Sequence, residues 1–207
     1  GWTKENNRGR NDWSDLDRLL TTIHGTAAGH FLNGNTASTI AWRQTGLTAE
    51  EYQTLNGVAN LDQWARWLAA RTIMANTETN FSNGADDDYS VFIPENGRAE
   101  LLAHDLDTVF GRGDTVAPPD RTLFDMTERA GPNRDDGILQ PVLPLFGTTQ
   151  SPGSPEFRLR YYAELRSLLE VEFSPPRFQA LLYDSLGGWV PDGVLQGMES
   201  WFGARRS

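Results

Sequence analysis

Cysteine is absent from this 207-residue chain, so no disulfide staples it and no thiolate holds a metal. Basic side chains are also in short supply, 18 Lys and Arg against 28 Asp and Glu, for a formal charge of −10. A nonspecific partner for nucleic acid or an anionic membrane wants the opposite sign, so both classes are disfavoured. No apolar run approaches the roughly 18 residues that a membrane-spanning helix needs. Histidine is scarce: His24, His30 and His104 include no pair at i, i+4 spacing, which argues against a zinc site. No Gly-x-Ser-x-Gly elbow supports a serine nucleophile. Internal repeats and low-complexity segments are missing. The opening residues, Gly1-Trp2-Thr3-Lys4, lack both the form of a signal peptide and an initiator Met, so the chain is expected to be a piece of a longer protein.

What is present suffices for a core. Hydrophobic residues make up 38% of the chain and include seven Trp and ten Phe, so a single domain over residues 1–207 is expected. Ser14, with Asp17 three residues on, reads as the cap of a helix with Leu16, Leu19, Leu20 and Ile23 on one face, closed by Gly25. Residues 25–46 are a Gly/Asn/Thr-rich loop. Within it, Gly29 to Thr36 imitates a phosphate-binding P-loop, but Asn35 stands at the lysine position and no strand leads in, so it reads as surface loop. Thr48 to Glu51 is a capping box opening a short helix to about Asn56. Asn60 or Asp62 starts the next helix, whose apolar positions Leu61, Trp64, Ala65, Leu68, Ala69, Thr72 and Ile73 form a face broad enough to be buried. Arg66 and Arg71 read as surface or ion-pair residues.

Two strands follow, at 89–93 and 98–103, and Asn96-Gly97 between them signals a tight hairpin. Residues 111–155 are loop-rich, with short helical pieces expected near 121–130 and 140–146; so long a connection is usually functional or mobile. An amphipathic helix at 155–171 carries Phe157, Leu159, Tyr161, Tyr162, Leu165, Leu168 and Leu169. Ser174-Pro175-Pro176 opens another, with Phe178, Leu181, Leu182 and Leu186 on its face. A last helix at 191–203 carries Val194, Leu195, Met198, Trp201 and Phe202. The fold class is therefore α+β, mainly helical with a small antiparallel ribbon.

The chemistry concentrates between Ile73 and Gly111. An apolar helix runs into a knot of Asn, Glu and Asp, and the ribbon delivers His104-Asp105-Leu106-Asp107 at its far end. Acids at the mouths of buried elements are costly without a partner such as a metal or a base. Glu78 and Asn83 are five residues apart, the separation of the catalytic-loop acid and the metal-binding Asn in protein kinases, and Asp105 takes the slot of the later metal-binding Asp. Phosphoryl transfer needs a carboxylate to accept or orient the attacking hydroxyl. It also needs amide and carboxylate oxygens to hold Mg²⁺ or Mn²⁺. An acidic protein handling an anionic phosphoryl group needs such cations to offset repulsion. On spacing alone, a hydrogen-bonded Asn/Asp turn network explains the same residues.

The words Asn76-Thr77-Glu78, Asn83-Gly84 and Asp87-Asp88-Tyr89, followed by His104-Asp105-Leu106-Asp107-Thr108 and Phe110-Gly111, resemble the CotH family of spore-coat-protein-like atypical kinases. The resemblance covers most of residues 10–207 and corresponds to the large lobe. It implies a kinase-large-lobe fold, ATP and Mg²⁺ or Mn²⁺ as cofactors, Ser/Thr-containing protein substrates, and an extracellular or cell-surface setting. Carried over by position, Glu78 is the catalytic acid, Asn83 the metal-binding amide, Asp105 the principal metal ligand and Asp107 a second metal or structural carboxylate. Asn76 braces the loop. Apart from the resemblance, His104 adjoins Asp105 and is expected either to tune the site or to hydrogen-bond a backbone group. Three departures stand out. Glu78 is one methylene longer than the family's Asp. Asp86-Asp87-Asp88 is an acidic insertion that either adds a metal site or solvates a turn. No glycine-rich loop or strand lysine occurs, Lys4 being the sole lysine. Three readings follow: a CotH-like protein kinase module, a non-catalytic secreted or surface structural domain that keeps the fold and binds a cation through Asp105 and Asp107, and a metal-dependent hydrolase with no motif of its own.

Overall fold

The computed structural model describes residues 9, 12–24, 47–76, 89–95, 97–113, 116–120, 143–146 and 153–207. In chain order its elements are α1 (Ser14–His24), α2 (Ala49–Val58), α3 (Leu61–Met74), β1 (Tyr89–Phe92), β2 (Glu100–Ala103), α4 (Leu143–Phe146), α5 (Pro155–Glu170), α6 (Pro175–Leu186) and α7 (Asp192–Arg206). Helices dominate, and β1 and β2 form a two-stranded antiparallel ribbon, so the class is α+β as expected. The P-loop imitation at Gly29 to Thr36, Gly25, and the helical piece expected near 121–130 lie outside the described residues.

Local chemistry sets the helix starts. At α1 two carboxylates meet the first turn: Asp12 accepts from the Ser14 amide at 3.0 Å and Asp15 from the Leu16 amide at 2.7 Å; Ser14, expected as the cap, is itself the first helical residue. At α2 the capping box forms in full: Thr48 accepts from the Glu51 amide, and Glu51 accepts from the Thr48 amide. Asn60 caps α3 through the Gln63 amide. Ser154 caps α5, with Pro155 in the first turn, where its missing N–H costs nothing.

α3 is the central helix. Leu61, Trp64, Ala65, Leu68, Ala69, Thr72 and Ile73 are all buried, as the broad apolar face predicts. It packs chiefly against α5, which supplies Phe157, Tyr161, Leu165 and Leu168 at spacings of four, four and three. Leu159 and Tyr162 fall off that stripe and are exposed, correcting the wider face read from sequence. Leu181 of α6 is likewise exposed, while Phe178 and Leu182 are buried. Arg66 forms ion pairs with Glu164 and Glu172, and Arg160 pairs with Asp62, tying the rims of the α3–α5 contact. Arg71 departs from the surface reading, since it is buried.

The ribbon is shorter than expected, while the turn between its strands forms where expected: the Gly97 amide donates to the Pro94 carbonyl at 2.9 Å. Phe92 pairs with Glu100, and Tyr89 with Ala103, so the strands stop short of Ile93 on one side and of Arg98 and Ala99 on the other. The reason is competition for backbone groups. The Ala99 carbonyl accepts from the Asn60 amide and from the Trp64 indole, both at 2.9 Å, and the Ala99 amide donates to Val58. Arg98 reaches back to Asn56 and Asn60. Residues 98–99 are thus captured by the α2–α3 junction and cannot extend the ribbon. Gln63 then completes the edge of β2. Its amide nitrogen donates to the Leu101 carbonyl at 2.7 Å, and its oxygen accepts from the Leu101 amide at 3.0 Å.

A side chain that satisfies both backbone groups of a buried strand residue is expensive to remove. Gln63→Ala is expected to destabilise the chain by about 1–3 kcal/mol in chemical denaturation, with faster amide exchange in β2. A change below about 0.5 kcal/mol, the size of an ordinary surface substitution, would show that Gln63 does not hold the ribbon.

Candidate functional site

The C-terminal end of α3 and the segment after β2 form the candidate site. α3 stops because Ala75 turns left-handed, at φ 51°. Its amide bonds back to Arg71 and Thr72, and the Asn76 amide donates to the Arg71 carbonyl at 3.2 Å. Those bonds satisfy carbonyls that the helix end would leave open. Asn76 is fully buried at this stop. The bracing position assigned to it from sequence is thus at the last turn of the central helix.

Beyond β2 the chain runs irregularly through His104, Asp105, Leu106 and Asp107, all of them exposed. This corrects the expectation that the acids here are buried: Asp105 and Asp107 pay little desolvation. Asp105 is left-handed, at φ 46°, a conformation that Asp tolerates better than most residues. Thr108 is buried, and its hydroxyl lies 3.5 Å from an Asp107 carboxylate oxygen.

Phe110 then anchors the segment. Its amide donates to the Met74 carbonyl at 2.9 Å, fastening the loop to the last turn of α3. Its backbone is left-handed, at φ 51°, which costs a residue with a Cβ roughly 1–2 kcal/mol. Its ring offsets that cost: it packs at 5.0 Å from Phe178, 6.1 Å from Phe202 and 6.3 Å from Phe173 and Trp201. Burying a Phe ring is worth about 1.5–3 kcal/mol, with more from the edge-on aromatic contacts. Gly111 (φ 72°) and Gly113 (φ 101°) follow because nothing larger fits. A Cβ on Gly111 would meet the Trp201 ring, and one on Gly113 would lie 2.6 Å from the Thr108 Cα and 2.7 Å from the Asp107 carbonyl oxygen.

Behind the site sits a polar cluster whose members include two expected face positions, Thr72 and Tyr161, but whose bonding the sequence does not show. The Tyr161 hydroxyl donates to the Thr72 hydroxyl at 2.8 Å, and burial pushes that phenol well above the ordinary tyrosine range, so it stays neutral. Arg205 donates to the Thr72 carbonyl and to the Pro119 carbonyl, each at 3.0 Å, with its guanidinium 6.0 Å from the Trp201 ring centre. Thr72 and Tyr161 look like ordinary core positions by periodicity, and Arg205 lies two residues from the end of the chain. Nothing in their spacing marks them.

Of the sequence-predicted site residues, the structure places Asn76, His104, Asp105 and Asp107. Phe110 fastens the segment bearing the last three to Met74, the last residue of α3, two residues before Asn76. Glu78, Asn83, Asp87 and Asp88 lie outside the described residues. Among the described residues, no three His, Asp or Glu side chains gather in a way that could hold a metal. Those present still have the right chemistry for a hard cation, since Asp105 and Asp107 are exposed carboxylates two residues apart on an anchored loop.

A family model described as CotH kinase protein matches residues 2–185. The chain belongs to that family, and the match spans every motif residue named above. Membership implies a kinase-like fold. No curated protein and no solved structure matches the chain.

The backbone crowding at Gly113 is directly testable. Gly113→Ala forces a Cβ against Thr108 and the Asp107 carbonyl in a strained conformation. It is expected to cost about 1–3 kcal/mol and to shift the NMR resonances of Asp105 to Thr108. Wild-type stability and unchanged resonances would mean that the loop does not take this path.

Proposed function

We propose that this domain is the phosphotransferase lobe of a CotH-like protein kinase, which moves the γ-phosphoryl group of ATP to Ser or Thr hydroxyls of a protein substrate. The observation that carries this reading is the family match over residues 2–185, which takes in both halves of the motif, Asn76 to Asn83 and Asp105 to Gly111.

In this reading Glu78 accepts the proton of the attacking hydroxyl. The hydroxyl oxygen bonds to the γ-phosphorus, and the bond from that phosphorus to the bridging oxygen breaks, so ADP leaves. Asn83, Asp105 and Asp107 would hold Mg²⁺ or Mn²⁺, whose charge offsets that of the phosphates when bound. Asn76 fixes the start of the Glu78 loop. His104, beside Asp105, supports the site, and Asp87 and Asp88 supply further carboxylate oxygens. The secreted or cell-surface setting belongs to the same reading, by family resemblance.

Glu78 favours a second reading. It is one methylene longer than the Asp that the family uses, which displaces the proton acceptor. The alternative is a non-catalytic surface domain that keeps the fold and binds a cation through Asp105 and Asp107.

Two measurements separate these. Calorimetric titration with Mn²⁺ and with Mg-ATP is expected to show binding tighter than about millimolar (some 4 kcal/mol), lost in Asp105→Ala; absence of both would sink the kinase reading and the cation-binding one alike. Radiolabel transfer from ATP to a protein substrate is expected to fall at least about 100-fold in Glu78→Ala, the usual size of a general-base contribution. Cation binding without any transfer would favour the non-catalytic domain.

A further inference from the structure

α7 begins at Asp192, beyond the family match, which ends at residue 185. Yet its side chains reach three separate pieces of the candidate site. Arg205 donates to the carbonyl of Thr72 in the last turn of α3 and to the carbonyl of Pro119. The Trp201 indole donates to the Ala117 carbonyl at 3.0 Å, and its ring covers Ala75 and Ala117. The same ring stands against Phe110 and leaves room only for a hydrogen on Gly111. From the other side, Arg112 donates to the Val194 carbonyl near the start of α7, at 3.4 Å.

We propose that α7 is a latch for the site, and that Arg205 is its positioning residue. The guanidinium bridges two carbonyls that belong to different segments, the end of α3 and the strap at 116–120 that follows the acidic loop. A planar fork with several fixed donors suits this task, whereas an ammonium serves as a point charge. A cation at the C-terminal end of α3 also meets the negative end of that helix dipole. Through Arg205 and Trp201 the latch holds Thr72 and Ala75 at the end of α3, Phe110 and Gly111 at the close of the acidic segment, and Ala117 and Pro119 in the strap, so the relative placement of these pieces depends on α7. The inference rests on the proposed cation site for its purpose, but the latch itself can be measured without any cation.

The test compares wild type, Arg205→Met and Arg205→Lys in the full chain. The first readout is amide hydrogen exchange. In Arg205→Met, exchange over residues 104–113, including the Phe110 amide, is expected to rise about tenfold, as a local opening does, while the amides in the middle of α5 hold their wild-type rates. Arg205→Lys should recover part of the protection. Unchanged exchange at 104–113, or an equal rise through α5, would overturn the latch. The second readout is the Mn²⁺ dissociation constant, expected to weaken severalfold in Arg205→Met and to recover in part in Arg205→Lys. If exchange rises locally but Mn²⁺ affinity stays at the wild-type value, the positioning role is refuted. If wild type itself binds no Mn²⁺, the cation reading fails, and the exchange data alone decide whether α7 latches these segments.

Discussion

The hydrogen bond from the Phe110 amide to the Met74 carbonyl is the constraint on which the candidate site depends. It joins the end of the central helix to the loop that carries Asp105 and Asp107, two parts of the chain separated by the whole ribbon. The bond is possible because Phe110 accepts a left-handed backbone, and that strain persists because the ring is buried among Phe173, Phe178, Trp201 and Phe202. Packing energy of a few kcal/mol is thus converted into the position of two exposed carboxylates. The aromatic cluster draws on the turn before α6, on α6 and on α7, so much of the C-terminal third of the chain serves to seat one phenyl ring.

Much of the fold could be read from residue order. The capping box at Thr48 and Glu51, the Asn60 cap and the broad face of α3 all arise from contacts within four residues, where periodicity and side-chain chemistry decide the outcome. The length of the ribbon could not be read so well. The turn from Pro94 to Gly97 is local and legible, but Ala99 is bound by Val58, Asn60 and Trp64, roughly forty residues earlier, and no local rule contains that competition. The site divides the same way. Asp105 and Asp107 were visible as a motif, while their exposure was not, because the environment of a carboxylate depends on what the rest of the chain leaves uncovered. Thr72 and Tyr161 were legible as buried face positions, but the bonds that join them to each other and to Arg205 were not, since they span long sequence separations.

The polar layer behind α3 gives the site a rigid floor. Thr72 offers its hydroxyl to Tyr161 and its carbonyl to Arg205, so one residue in the last helical turn links α5 and α7. Tyr161 stays neutral and fixed by burial, and Arg205 brings a charge that the open end of the helix accepts. In this domain of the CotH kinase family the segment bearing Asp105 and Asp107 is tied to Met74 at Phe110, whose ring packs against Trp201. That arrangement suits phosphoryl transfer, which asks for placement and charge neutralisation more than for covalent participation.

The central claim is that the end of α3 and the loop after β2 make one cation-handling site. Paramagnetic broadening by Mn²⁺ in a residue-assigned NMR spectrum tests it most directly. The account requires the amides of Asn76 to Asn83 and of Asp105 to Thr108 to broaden together at substoichiometric Mn²⁺, and to recover together in Asp105→Asn. Broadening confined to one of the two segments, or centred on acids elsewhere such as Asp184 and Asp192, would contradict it.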